Sequence, residues 1–136
     1  MQSQKLTLSI LPRRFAICKL GKDDSIPEWL ATRSGLFSIT RTTDELSILC
    51  EERIIPPDIQ AERGLTAFKV EGTLDPSLTG ILASLTGVLA EAEISVFVIS
   101  TYRTDYLLVK SENLDNAISA LKKLCTFRNS RGSYAP

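Results

Sequence analysis

Apolar and polar residues alternate through Leu6-Thr-Leu-Ser-Ile-Leu11, the period-two pattern of a strand with one buried face. Pro12 has no N–H to give a ladder and marks the expected end of that strand; Phe15 to Leu20 reads as a second one. Gly21-Lys22-Asp23-Asp24 is a turn. Ser25 can then cap a short helix with Pro27 in its first turn and Trp29 and Leu30 facing inward, closed by Gly35. Phe37 to Thr40 alternates again, Thr43-Asp44 supplies a turn, and Leu46, Ile48 and Cys50 recur at period two within Glu45 to Glu51, a hairpin pattern. Residues 52–64 break the rhythm with Pro56-Pro57 and a run of charges, and read as a connection. Leu65 to Val70 resumes as a strand. The longest helix follows: Ile81, Leu82, Leu85, Val88, Leu89 and Ala92 fall on one face, with Asp75, Ser77 and Thr79 as caps ahead of it. Val96 to Thr101 and Asp105 to Val109 form another hairpin about a turn at Tyr102-Arg103-Thr104. Glu112 to Leu124 is a second amphipathic helix whose face carries Leu114, Ile118, Leu121 and Cys125.

The order strand, helix, strand, tight turn, strand thus occurs at 15–51 and again at 65–109. Completed by a further helix and strand, that unit is the ferredoxin-like βαββαβ plan. The pattern predicts an α+β chain of two interlocked ferredoxin-like modules with antiparallel sheets, spanning residues 1–60 and 61–128, with a polar, frayed tail at 129–136. The first half lacks a convincing second helix and the strand at 6–11 is left over, so the halves are expected to complete each other and share a core.

Composition narrows the chemistry. The 136 residues include 43% hydrophobic and 24% charged, an ordinary globular balance. Sixteen Lys and Arg against sixteen Asp and Glu leave no basic excess to drive nucleic-acid binding. Histidine is absent, which removes imidazole bases, His-containing triads and imidazole metal ligands. Cys18, Cys50 and Cys125 are too far apart in sequence to read as a metal motif and have apolar neighbours, the setting of buried reduced thiols. No metal and no cofactor is expected. The N-terminus shows no signal-peptide pattern and no run is apolar enough to span a bilayer, so the expectation is a cytoplasmic protein without a membrane partner.

Two segments carry candidate chemistry. Glu71-Gly-Thr-Leu-Asp-Pro-Ser-Leu-Thr-Gly-Ile81 ends a strand and opens a helix, where unpaired N–H groups and the helix dipole favour a carboxylate. Plain helix capping explains the same residues. Ser95 to Tyr106 is a hairpin with Thr101, Thr104 and Asp105 at its tip, where an aspartate can receive a ligand ammonium or merely shape the turn. Together the two segments have opposite charge preferences, as a zwitterionic amino acid requires.

The same stretches, with Phe37 to Ile48, resemble the small tandem ACT-domain proteins. Those are related to the regulatory ACT domains of aspartate kinases and to the cytosolic arginine sensors. The run S-x-F-x-x-S-T-Y-x-T-D-Y-x-L-V in Ser95 to Val109 is the specific part of the match. The resemblance implies two ACT modules binding an amino acid at a module or subunit interface. It assigns contacts to Thr79, Gly80 and Ile81 at the helix start, to Thr101, Tyr102 and Asp105 on the hairpin, and to Ser95 and Val96 from the facing module. Leu78 stands where the arginine sensors carry an acidic residue, which points to a ligand with a smaller or apolar side chain.

The leading expectation is therefore a non-catalytic, amino-acid-binding regulatory protein that forms a homodimer and acts on a separate protein partner. The alternative is a constitutive assembly module with a vestigial ligand site. An enzyme using Cys50 or the Glu51-Glu52 pair fits less well, since adjacent strand residues point to opposite faces. RNA binding lacks the aromatic strand motif that such sheets use.

Overall fold

The computed structural model describes residues 6–31, 35–71 and 80–129. The chain divides into two compact units: a continuous one, Arg13–Leu65, and a split one made from the flanking segments, up to Pro12 and from Thr66 onward. In order, the elements are β1 (Leu6–Leu20), α1 (Glu28–Ala31), β2 (Ser38–Arg41), β3 (Leu46–Glu51), β4 (Ala61–Val70), α2 (Ile81–Glu91), β5 (Phe97–Ser100), β6 (Asp105–Lys110), α3 (Leu114–Leu121) and β7 (Cys125–Asn129).

Strand β1 runs unbroken through Pro12. Its residues Leu6–Ile10 pair with β7 and Phe15–Leu20 pair with β3, so the proline falls in the gap between two registers, where its missing N–H costs these ladders nothing. The two expected strands are one.

In the continuous unit the strand order is β2-β3-β1-β4. The hairpin pairs Ser38 with Leu49 through Arg41 with Leu46, and β3 pairs antiparallel with β1. This is the strand order of a βαββαβ unit with its second helix reduced to one 3-10 turn, Glu52–Ile54. Residues 52–64 are not a slack connection. Glu52 Oε1 accepts the Gly64 N–H at 2.6 Å, and Arg63 Nη2 donates to the carbonyls of Pro56 (2.9 Å) and Ile59 (3.2 Å). With the loop so pinned, β4 begins at Ala61, four residues ahead of its apolar run. Ala16, Cys18, Leu30, Leu46, Ile48, Cys50 and Ile55 form the core of this unit, with Trp29 half-buried against them.

In the split unit the order is β7-β1-β4-β6-β5. The series β4-α2-β5-β6-α3-β7 is a full βαββαβ plan, and the leftover first strand inserts between its first and last strands. That insertion makes β1 and β7 parallel, from Leu6 opposite Cys125 to Ile10 opposite Asn129. Cys125 therefore opens a strand and does not sit on the face of α3, which stops at Leu121. Leu85 and Leu89 of α2 and Leu114, Ala117 and Leu121 of α3 pack on Leu8, Ile10, Phe68, Val70, Leu107 and Val109. Each such leucine stabilises the fold by about 1.5–3 kcal/mol through burial. Each unit holds an apolar cluster of its own. No helix among the described residues is long and apolar enough to cross a membrane.

Candidate functional site

In the split unit, the hydroxyls of Thr66 and Ser111 meet at 2.7 Å and Thr104 Oγ1 donates to the Val70 carbonyl at 2.6 Å. One strand rises as the other falls, so β4 and β6 are antiparallel. Strand β5, antiparallel to β6, then runs the same way as β4. Helix α2 is the crossover between them. Its first turn therefore stands at the same end of the unit as the β5–β6 tip.

Gly80 is the N-cap of α2 at φ 93°, ψ −2°, in the left-handed region. A Cβ there would meet nothing within 4 Å, so glycine is required by the backbone angle and not by crowding. Gly80 is exposed, Ile81 is half-buried, and no side-chain cap from Gly80 fills the first-turn N–H groups. Thr79, Leu78 and the expected caps Asp75 and Ser77 lie outside the described residues.

The hairpin tip is internally bonded. Thr101 N–H donates to the Thr104 carbonyl at 2.8 Å, and Thr101 Oγ1 accepts from the N–H groups of Arg103 (3.3 Å) and Thr104 (3.2 Å). Thr101 thus shapes the turn, while the buried Thr104 hydroxyl anchors it to the end of β4. Asp105 begins β6 opposite Ser100, whose hydroxyl donates to Oδ1 at 2.6 Å. Tyr102 is fully exposed. The fold gathers Gly80, Ile81, Thr101, Tyr102 and Asp105 at one end of the unit. Ser95 and Val96 precede β5 and stand at the other, about 13 Å away at strand rise. Sequence reasoning does not single out Ser100, although the hairpin register sets it directly across from Asp105.

It also passes over a polar cluster at the end of β4. Ser9, fully buried on β1, donates to Glu71 Oε2 and accepts from Arg128 Nε at 3.0 Å; Arg128 Nη2 lies 3.2 Å from Glu71 Oε1. Burial alone would raise the Glu71 carboxyl, but the Ser9 hydrogen bond and the charges of Lys69 and Arg128 outweigh it and hold the group below 4.5. A carboxyl with a lower pKa folded than unfolded contributes stability at neutral pH, which is lost as pH falls through the folded value. Glu71→Gln should therefore lose less stability than the parent as pH falls through the acidic range below about pH 5. Denaturant midpoints across that range check this; equal pH slopes would contradict it.

Cys50 is pushed up to about 12 by burial, then by Cys18 and Glu51, and burial likewise raises Cys18.

A sequence profile for the ACT domain matches residues 60–123, from the residue before β4 to just past α3. A second profile, for an N-terminal domain, matches residues 13–58, inside the continuous unit. A crystal structure of a protein from Agrobacterium tumefaciens is 35% identical with a TM-score of 0.85, covering 93% of this chain and 96% of that one. The Cytosolic arginine sensor for mTORC1 subunit 1 of Bos taurus is 28% identical over 103 residues, or 68% of this chain.

Residues 60–123 are an ACT domain.

The chain spans 31% of the length of the arginine sensor subunit. The ligand-free regulatory subunit of aspartate kinase from Thermus thermophilus shares its fold, with a TM-score of 0.63 at 10% identity over 89% of this chain and 99% of that one. The ACT match extends from β4 through α3, and so contains both the start of α2 and the β5–β6 tip.

Proposed function

We propose that the chain is a non-catalytic regulatory ACT protein that binds a free amino acid. The first turn of α2 at Gly80-Ile81, with Thr79, takes the carboxylate, and Asp105 takes the ammonium. Thr101 and Tyr102 border the ligand. Ser95 and Val96 contribute from a second ACT unit, within a homodimer. The observation that carries this reading is the placement of a helix start and an aspartate, with opposite charge preferences, at one end of a single unit. The absence of histidine and the raised thiols of Cys18 and Cys50 support a role without catalysis.

A panel of amino acids tested by thermal unfolding checks the proposal. At about 100 times the dissociation constant, a ligand stabilises by about 2.7 kcal/mol. For a chain of this size each kcal/mol raises the midpoint by about 2–8 °C. The N-acetyl derivative and the decarboxylated amine of the same ligand should each do far less. Asp105→Ala should abolish the shift and leave the unliganded protein folded. A flat response across the whole panel, or a parental response in Asp105→Ala, sinks the ligand reading and favours a constitutive assembly module.

A further inference from the structure

The continuous unit repeats the β5–β6 tip in its own hairpin. Thr42 N–H donates to the Glu45 carbonyl at 2.9 Å, and Thr42 Oγ1 accepts from the N–H groups of Asp44 (3.0 Å) and Glu45 (3.2 Å). Thr101 makes the same three bonds at the same offsets in the split unit. The residue pair beside each turn is therefore equivalent: Arg41 opposite Leu46 in one hairpin, Ser100 opposite Asp105 in the other. The pairs differ in kind. Where the split unit has a carboxylate, the continuous unit has a leucine buried in its apolar cluster; where the split unit has a short hydroxyl, it has a long cation.

That cation is engaged. Arg41 Nη1 donates to the Lys22 carbonyl and Nη2 to the Asp24 carbonyl at 2.8 Å, so one guanidinium spans the turn that leads from β1 towards α1. The turn is shaped by bonds of its own: Asp24 N–H donates to the Gly21 carbonyl at 3.0 Å, and Gly21 N–H to Asp24 Oδ2 at 2.7 Å. Lys22 Nζ lies 3.1 Å from Asp23 Oδ2. In the order of the repeat, this turn corresponds to the segment between β4 and α2. There a helix start favours an anion; here two backbone carbonyls favour a planar, two-pronged cation. We propose that the turn at Gly21–Asp24 is a guanidinium site, at the place that corresponds to the ligand end of the split unit, and that Arg41 is its resident ligand. With Leu46 at the position of Asp105, this end of the continuous unit has no acceptor for an amino acid's ammonium and is closed by a piece of its own chain. Removing the Arg41 side chain opens the turn to a small external guanidinium compound. The proposal rests on the bonds of Arg41 and stands whether or not the split unit takes an amino acid.

Arg41→Ala in the full chain tests it, with guanidinium chloride as the probe. The variant should melt about 3–6 °C below the parent. Guanidinium at about 20 mM, far under the molar range in which it denatures, should recover about half of that loss or more and should not raise the parent. Sodium or ammonium chloride at the same concentration should recover none of it, because a point charge cannot span both carbonyls. Arg41→Lys should stay low for the same reason. The amide resonances of Asp23 and Ser25, each joined directly to one of the accepting carbonyls, should move in the alanine variant and return towards their parental positions with guanidinium. An alanine variant as stable as the parent, a recovery that sodium chloride matches, or amide resonances that guanidinium leaves unmoved would overturn the proposal. Guanidinium rescue beside a flat amino-acid panel would sink the ligand reading alone.

Discussion

Replacing Phe68 with alanine should cost about 3–5 kcal/mol, the largest single loss expected among the described residues. Phe68 lies on β4 with no exposed surface, packed among the residues that receive α2 and α3. Its ring centre is 6.0 Å from that of Phe127, at a tilted angle of 56° that suits the edge-to-face preference of aromatic pairs. Truncation removes the contact to β7 and opens a cavity beneath both helices at once. Phe68→Leu keeps most of the volume and should lose about 1.5 kcal/mol or less. Denaturant titration followed by far-ultraviolet circular dichroism measures both. An alanine variant within about 1 kcal/mol of the parent would mean that the helices do not depend on this ring.

Thr104→Val should be the most damaging of the isosteric changes, at about 1–3 kcal/mol. The threonine is 5% exposed and its hydroxyl is bonded to the Val70 carbonyl. Valine keeps the shape but strands that acceptor in a dry site. Thr104→Ser, which retains the hydroxyl, should recover most of the loss. The tip should also loosen, since this bond ties the turn carrying Thr101 and Tyr102 to the end of β4. Faster amide exchange at Arg103 and Thr104 in the valine variant, restored by serine, is the expected signature. Unchanged stability would show that the tip is held by its own turn bonds alone.

Elements with a local period are legible in the amino-acid order alone. The helix from Ile81 and the hairpin between Ser38 and Glu51 each follow from spacing, because a single helix or a tight turn satisfies its backbone close in sequence. The strand at Cys125–Asn129 is hidden, although Cys, Thr, Phe and Arg alternate there, because its partner on β1 lies 119 residues away where Thr7 meets Thr126. Pro12 misleads for a related reason: whether a proline breaks a strand depends on which of its neighbours must donate, and only the registers reveal that. At the candidate site, Asp105 and Gly80 announce themselves by type and position. Ser9, Glu71 and Arg128 do not, since three residues from three separate stretches of chain form a cluster only after the sheet has assembled.

Strand β1 has a consequence for how the chain is made. The continuous unit holds all its residues once Leu65 has been synthesised, whereas Leu6–Ile10 must wait for Cys125–Asn129. For most of translation the first strand is half committed, its later residues able to pair with β3 while its earlier ones still lack one neighbour. Closing a contact over so long a stretch of chain is entropically costly and slow, which places the β1–β7 pairing late in folding. A nascent chain held short of Cys125 would then present a folded middle and an apolar edge at Leu6, Leu8 and Ile10, the natural target of a chaperone during synthesis.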